Sequence, residues 1–531
     1  MNKKEEEVRA FISEHERALI PLSKELNEAN WMAETSGTEE AFKRLEELST
    51  KMRELYSRKE DYEKLVSIQE SSEVKDRLLA RQLALLINSY RGNLLPKEIL
   101  QKLSAKESEV TMKINNYRGV VDGSKVTKNQ IDEVLDKSLD NEERRKHWEA
   151  QKAVGLIIEK PLRELVLLRN EAATRLGYSN FYEMSLDLQE LEVGWLIKTF
   201  DRLYRLTKKP FMEAKSEIDS ELRKRFNVKD IMPWHYSDPF FQACPVTANI
   251  GYEHYYGKQD IIPIARRFYN GIGLPIDSVL AKSDMYERPG KSQHAFCIDI
   301  DRKGDVRVLM NIRNHVDEMN TLLHELGHSA YSLGHDRSLP FILRDAAHTF
   351  TTEAVAMMFG DLAYNSRWMK EFFEIENRKA QRMYRAGKEM RRKEQLIFCM
   401  WVQVMLRFEK SMYEDPKQDL NSLWWGLVEK YQMVDRPEGR DMPDYASKNH
   451  ICTAPVYYHN YQLGQMFAAQ LESHINESLS KGEPWNNNRD IGRYLHDMVF
   501  SVGASMKWNQ LVKYATGRKL DPKYFVRKFT K

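Results

Sequence analysis

The chain has 531 residues, 42% hydrophobic and 30% charged, with 82 Lys+Arg against 79 Asp+Glu and a net charge of +3. That balance supplies material for a core and argues against a dedicated nucleic-acid binder, which would carry a strongly basic domain. Four cysteines far apart in sequence (Cys244, Cys297, Cys399, Cys452), with no C-x-x-C pair, argue against a disulfide framework or a thiolate zinc site. No run of about 18 apolar residues offers a membrane span, and the start MNKKEEEVRAFISEHE has no apolar signal core. A soluble cytoplasmic chain is expected; a secreted or periplasmic chain trimmed of its signal segment would read the same.

Residues 1–200 read as helices. In EEAFKRLEELSTKMRELYSRKEDYEKL, Phe42, Leu45, Leu48, Met52, Leu55 and Tyr56 recur at helical spacing among mixed charges. DRLLARQLALLINSYRG reads as a buried helix closed by Gly92, and SLDNEERRKHWEAQKAVG as one capped at Asp140 or Asn141 and ending near Gly155. No internal repeat is evident. From 228 to 262 the chain turns irregular: MPWHYSDPFFQACP has three prolines and several aromatics and is a candidate cleft lining. SQHAFCIDI and DVRVLMNI, joined by Arg302-Lys303-Gly304, form the best strand signal and predict a β-hairpin over 294–312. After 353 the chain reads as helical to its end, with loops near DRPEGRDMPDY and GEPWNNNRD. The expected fold is mainly α with one small sheet.

Directly after the hairpin stands TLLHELGHSAYSLGH, with an H-E-x-x-H motif at His324-Glu325-Leu326-Gly327-His328. Positions i and i+4 share one helix face roughly 5–6 Å apart, the reach at which two imidazoles hold one zinc ion. Glu325 lies one step round, beside a metal-activated water rather than on the metal. Two histidines packed in a core helix are the alternative. A catalytic site needs a third protein ligand. The pattern H-E-x-x-H-x-x-G-x-x-H fails because its last position is Gly334. His335 lies seven residues beyond His328, about 10 Å along the axis, and reads instead as a residue favourable to the helix dipole. Glu353, on an apolar helix starting about Thr349, needs a partner to offset its desolvation: a metal ion, or an ion pair such as one with Arg344.

HELGHSAYSLGHDRSLPFILRDAAHTFTTEAVAMM resembles the peptidyl-dipeptidase family of gluzincins that includes angiotensin-converting enzyme, in its H-E-x-G-H, its Leu-Pro followed by Leu-Arg, and its E-A-[VI] helix. NEANWMAETSGTEEA is similar to the family's start, and the motifs are strongest from about 290 to 465. The resemblance implies a large helical zincin-type metallopeptidase, two halves around a deep cleft, with a small β-sheet next to the metal site. It implies one Zn²⁺ per chain, held by His324, His328 and Glu353, with Glu325 as general base. His294-Ala295 matches the family's His-Ala pair, which binds the substrate backbone. Lys448-Asn449-His450 followed by Tyr457, Tyr458 and Tyr461 matches its K-x-H and tyrosine pair. By this likeness Lys448 and Tyr458 hold a substrate carboxylate, with Tyr457 competing for the latter role. His450 would donate to a carbonyl, Tyr461 would stabilise the oxyanion, and Gln242 would contact the carboxylate, the last by distance upstream alone. Asn460 stands where animal members carry a chloride-binding Arg, so chloride activation is not expected. Met357 replaces the family's supporting Asp, leaving Asp361 as the substitute.

The expected protein is a single catalytic domain over 1–531. It comprises a helical half and lid (1–230), a core (231–465) and C-terminal helices (466–531). Its expected activity is release of C-terminal dipeptides from oligopeptides, without nucleic-acid or membrane partners. Oligoendopeptidase activity of the thimet/oligopeptidase F type, single-residue carboxypeptidase activity, and an inactive zinc-binding scaffold are the alternatives.

Overall fold

In the computed structural model of the chain, residues 2–245 and 250–530 are described, so the part of the 228–262 segment at 246–249 lies outside them. The described residues are mainly helical, with two separate two-stranded antiparallel sheets. No described helix is long and apolar enough to cross a membrane. All four cysteines are free.

The chain divides into two compact units, each assembled from separate stretches of sequence. The first comprises Met1–Leu94, Asn249–Gly387 and Leu463–Tyr524, and the second Leu95–Ala248, Lys388–Gln462 and Phe525–Lys531.

In the first unit the H-E-x-x-H motif lies on the helix Val316–Leu333. His315 caps its start by accepting from Asp317 N at 3.2 Å, and Asp317 and Glu318 sit in the first turn, where carboxylates suit the helix dipole. Met319, Leu322, Leu323, Leu326 and Tyr331 are buried on it. The next helix, Thr349–Gly360, begins at the expected residue and buries Phe350, Ala354, Val355, Ala356, Met358 and Phe359, so it is apolar nearly all round, as an interior helix must be. Gly327 allows the two helices to pack closely. A Cβ there would stand 2.9 Å from Ala356 Cα and 3.3 Å from Ala356 N. The strands Phe296–Asp299 and Val306–Leu309 form the expected hairpin, pairing Phe296 with Leu309 and Asp299 with Val306, and pack against the motif helix.

The second unit is built on long helices, among them Val154–Arg175 and Val193–Phe226. Its hairpin, Gly119–Val121 with Ser124–Val126, overturns the all-helical reading of residues 1–200 and the single small sheet. The signal was Asp122-Gly123: both have positive φ (48° and 82°), as a tight hairpin turn of this kind requires. The helix Asn141–Lys152 is capped by Asp140 but stops before Gly155, which lies inside the following helix, close to Pro443 O. The loops at DRPEGRDMPDY and GEPWNNNRD stand largely as expected.

Candidate functional site

In the first unit, His324 Nε2 and His328 Nε2 are 3.2 Å apart, and Glu353 Oε2 lies 3.6 Å from the first and 3.9 Å from the second. Two ligand atoms on a tetrahedral ion at about 2.0–2.1 Å are separated by roughly 3.3 Å, so the three side chains fit one cation. Among the described residues they form the group suited to a metal ion. The short His–Glu distances are not ion pairs at neutral pH. Burial pushes the His324 imidazole down to about 4, against the opposing charge of Asp361, and pushes His328 down to about 3. Burial raises Glu353 to about 7. Neutral imidazoles beside a desolvated carboxyl are a donor set that could hold a metal ion. Arg344, the ion-pair alternative, instead donates from Nε to Leu339 O at 2.7 Å.

His328 Nδ1 lies 2.7 Å from Thr352 Oγ1. With Nδ1–H donating to the hydroxyl, the Nε2 lone pair faces the other ligands, the orienting contact that metal-ligating histidines require. Thr352 was not singled out in the sequence, although it stands next to Glu353. Asp361 acts on His324 through its charge. Glu325 is buried, and its carboxyl is pushed up to about 8 by burial and by the charge of Glu353, while the Cys297 N–H pulls it down. That backbone donor ties Glu325 to the first strand of the hairpin, which places the sheet next to the motif.

Two expectations change in this unit. His294 and Ala295 precede the strand Phe296–Asp299 rather than lying on it, and His294 is exposed. The Lys291–Ala295 segment is instead anchored by Lys291, whose buried ammonium donates to Asp284 O, Tyr286 O and Asp284 Oδ1. His335 lies past the helix end, buried, its ring 5.5 Å from that of Tyr331. Burial pushes it down to about 4, so it carries no charge for the helix dipole.

In the second unit, Gln242, Lys448, His450, Tyr458 and Tyr461 come together. Gln242 Oε1 accepts from Lys448 Nζ at 2.8 Å and from Tyr458 Oη at 3.3 Å, which leaves Nε2 as that amide's donor. His450 lies 4.8 Å from the Tyr458 ring and 6.2 Å from the Tyr461 ring. Tyr457 packs edge-on against Tyr461 at 5.4 Å, so Tyr458 is the tyrosine bonded to Gln242. The buried Lys448 ammonium stands about 5 Å from the rings of Phe240, Trp401 and Tyr458, and burial pushes it down to about 8 despite the charge of Asp238. Burial, then the charge of Lys448, lowers His450 to about 4.

Asp238, missed in the sequence, shapes the loop that carries Gln242. Its carboxylate accepts from Phe240 N at 2.9 Å, Gln242 N at 3.0 Å and Ala243 N at 3.1 Å. The S-D-P-F-F-Q run carried the signal, since aspartate commonly bonds backbone N–H groups just ahead of it in a turn. Asn460, at the chloride position, donates to Gln189 Oε1 at 3.0 Å.

A family model described as angiotensin-converting enzyme matches residues 2–227 and 227–530. The chain is similar to angiotensin-converting enzyme of Mesocricetus auratus, 21% identical over 559 residues, covering 97% of this chain and 41% of that protein. It is 20% identical over 472 residues to angiotensin-converting enzyme of Haematobia irritans exigua, covering 80% of this chain and 76% of that protein. For the Mus musculus enzyme the identity is 21%, with 96% of this chain and 41% of that protein covered. The chain thus spans about two fifths of the length of the two rodent relatives.

Proposed function

The chain belongs to the angiotensin-converting enzyme family, and from that premise we propose that it is a zinc-dependent peptidase releasing dipeptides from the C-terminus of oligopeptides. The observation that carries the reading is the approach of His324, His328 and Glu353 to positions where one ion could meet all three, with the Glu325 carboxyl buried on the helix of the two histidines.

His324, His328 and Glu353 would hold the metal. Bound zinc supplies Lewis acidity and makes water a nucleophile near neutral pH. Glu325 takes the proton from the attacking water on its carboxylate and returns it to the departing amine nitrogen. The Tyr461 hydroxyl donates to the oxyanion that forms, and the neutral His450 imidazole donates to a substrate carbonyl. Lys448, Gln242 Nε2 and Tyr458 receive the substrate's terminal carboxylate: a fixed ammonium and two oriented donors favour a free C-terminus. His294 and Ala295 would meet the substrate backbone. The four free cysteines suit a reducing compartment.

The test is mass spectrometry of the products from one unstructured decapeptide, with a free and an amidated C-terminus. Successive dipeptides from the free form alone support the reading. Internal cuts in both forms would replace it with oligoendopeptidase activity. Stoichiometric zinc without turnover would leave a binding scaffold.

A further inference from the structure

The turn that leads into Tyr458 and Tyr461 has a backbone conformation its residue type disfavours. Val456 has φ 54°, in the left-handed region where a β-branched side chain crowds its own backbone. The residue is buried, 1% exposed, and is followed directly by Tyr457 and Tyr458. Such conformations persist only where the surroundings impose them, and they cluster at functional sites.

Two side chains distant in sequence hold Val456 from either side of its Cα. Val456 N donates to Glu409 Oε1 at 2.8 Å, and Val456 O accepts from Gln189 Nε2 at 3.1 Å. The same Gln189 also contacts the two residues between the tyrosines. Its Oε1 accepts from Asn460 Nδ2 at 3.0 Å and lies 3.2 Å from His459 Nε2. Glu409, on the helix Asn377–Glu414, is 2% exposed, and the mechanism above gives it no part. Burial raises its carboxyl, while the Val456 N–H and then the charge of Arg169 pull it down. A carboxyl this deeply buried needs compensating partners, and the Val456 N–H is the one in direct contact.

The geometry of the turn controls what the tyrosines can reach. Tyr458 meets Gln242 at 3.3 Å and Tyr461 lies in ring contact with His450, while His459 begins the helix His459–Ser478. One residue of register on a helix rotates a side chain by about 100°, which would part both pairs.

We propose that Glu409 and Gln189 are positioning residues that together hold Val456 in its left-handed conformation and thereby set the register of Tyr458 and Tyr461. The proposal rests on the peptidase reading given above, in which those two tyrosines bind the substrate carboxylate and the oxyanion.

The test uses the full zinc-loaded chain and the decapeptide substrate. Glu409→Gln keeps an acceptor oxygen for Val456 N–H and is expected to stay within about threefold of wild-type kcat. Glu409→Leu and Gln189→Ala are expected to lower kcat at least tenfold while one zinc per chain is retained. In a Tyr461→Phe background Gln189→Ala should cost less than about twofold further, because it acts through that tyrosine. Val456→Gly accepts positive φ freely and should restore at least half of the kcat lost in Glu409→Leu. Near-wild-type kcat in Gln189→Ala, losses that multiply fully with Tyr461→Phe, or no recovery from Val456→Gly would overturn the proposal. If Glu409→Leu fails to fold, Gln189→Ala and its Tyr461→Phe cycle decide alone. A wild-type chain without turnover would refute the peptidase reading instead. The clamp is then read by amide hydrogen exchange at residues 456–461. Gln189→Ala should speed that exchange at least tenfold, and unchanged exchange would overturn the clamp.

Discussion

Lys448 Nζ donates to Gln242 Oε1 at 2.8 Å across 206 positions of sequence. The bond fixes which face of the amide is donor and which is acceptor, and it sets a buried ammonium beside a donor nitrogen. Both suit a carboxylate.

Lys448→Met removes the charge but keeps much of the stem that packs among Phe240, Trp401 and Tyr458. A hydrogen bond to a charged group contributes about 1.5–3 kcal/mol, so KM for a free-carboxylate peptide should rise about 10- to 100-fold. An amidated peptide should be cleaved no worse than by wild type. Equal losses on both peptides would refute the carboxylate role.

Burial pushes Lys448 from the ordinary 10.5 down to about 8. The charged form is the binding form. The ratio of kcat/KM for the free peptide to that for the amidated one cancels the titration of Glu325, so it should be level below about pH 8 and fall about tenfold per pH unit above it. A pH series on the free and amidated peptides checks this.

Thr352→Val deletes the hydroxyl that orients His328. Loss of such a partner weakens metal binding by about 10- to 100-fold. Competition with a fluorescent zinc chelator measures it, and Thr352→Ser should return to wild-type affinity.

Gly327→Ala places a methyl 2.9 Å from the backbone of Ala356. The obstacle is backbone rather than a flexible side chain, so the two site helices must part, at about 1–3 kcal/mol. Urea unfolding should show that loss, and zinc affinity should fall with it because Glu353 rides on the displaced helix.

Glu325→Gln keeps the volume and removes the base. Zinc content should stay at one per chain while kcat falls by about 10²–10⁴, the usual worth of a positioned general base. Near-wild-type turnover in this variant would refute the assignment.

What the sequence determined by itself is what local spacing determines. His324 and His328 stand four apart on an apolar-flanked helix, so the helical period brings them to one face wherever that helix lies. Glu353 was legible because a lone carboxylate on an otherwise apolar helix demands a partner, and the second hairpin because alternation and a glycine turn are short-range signals. The hairpin at Gly119–Val126 was legible too, in Asp122-Gly123, but its strands of three residues each are too short to show a period of two.

Only the tertiary structure decided the rest. The partnership of Gln242 with Lys448 joins a loop shaped by Asp238 to a segment two hundred residues later, and nothing local to either implies the other. Thr352 became a support for His328 because Gly327 lets its helix approach, a matter of packing distance. His294 fell outside its strand because pairing stops at Phe296 opposite Leu309, and ladder ends follow from long-range register. Val456 shows the limit most clearly. Its residue type argues against the conformation it adopts, and two distant side chains, Glu409 and Gln189, override that preference because buried hydrogen bonds outweigh one residue's backbone bias.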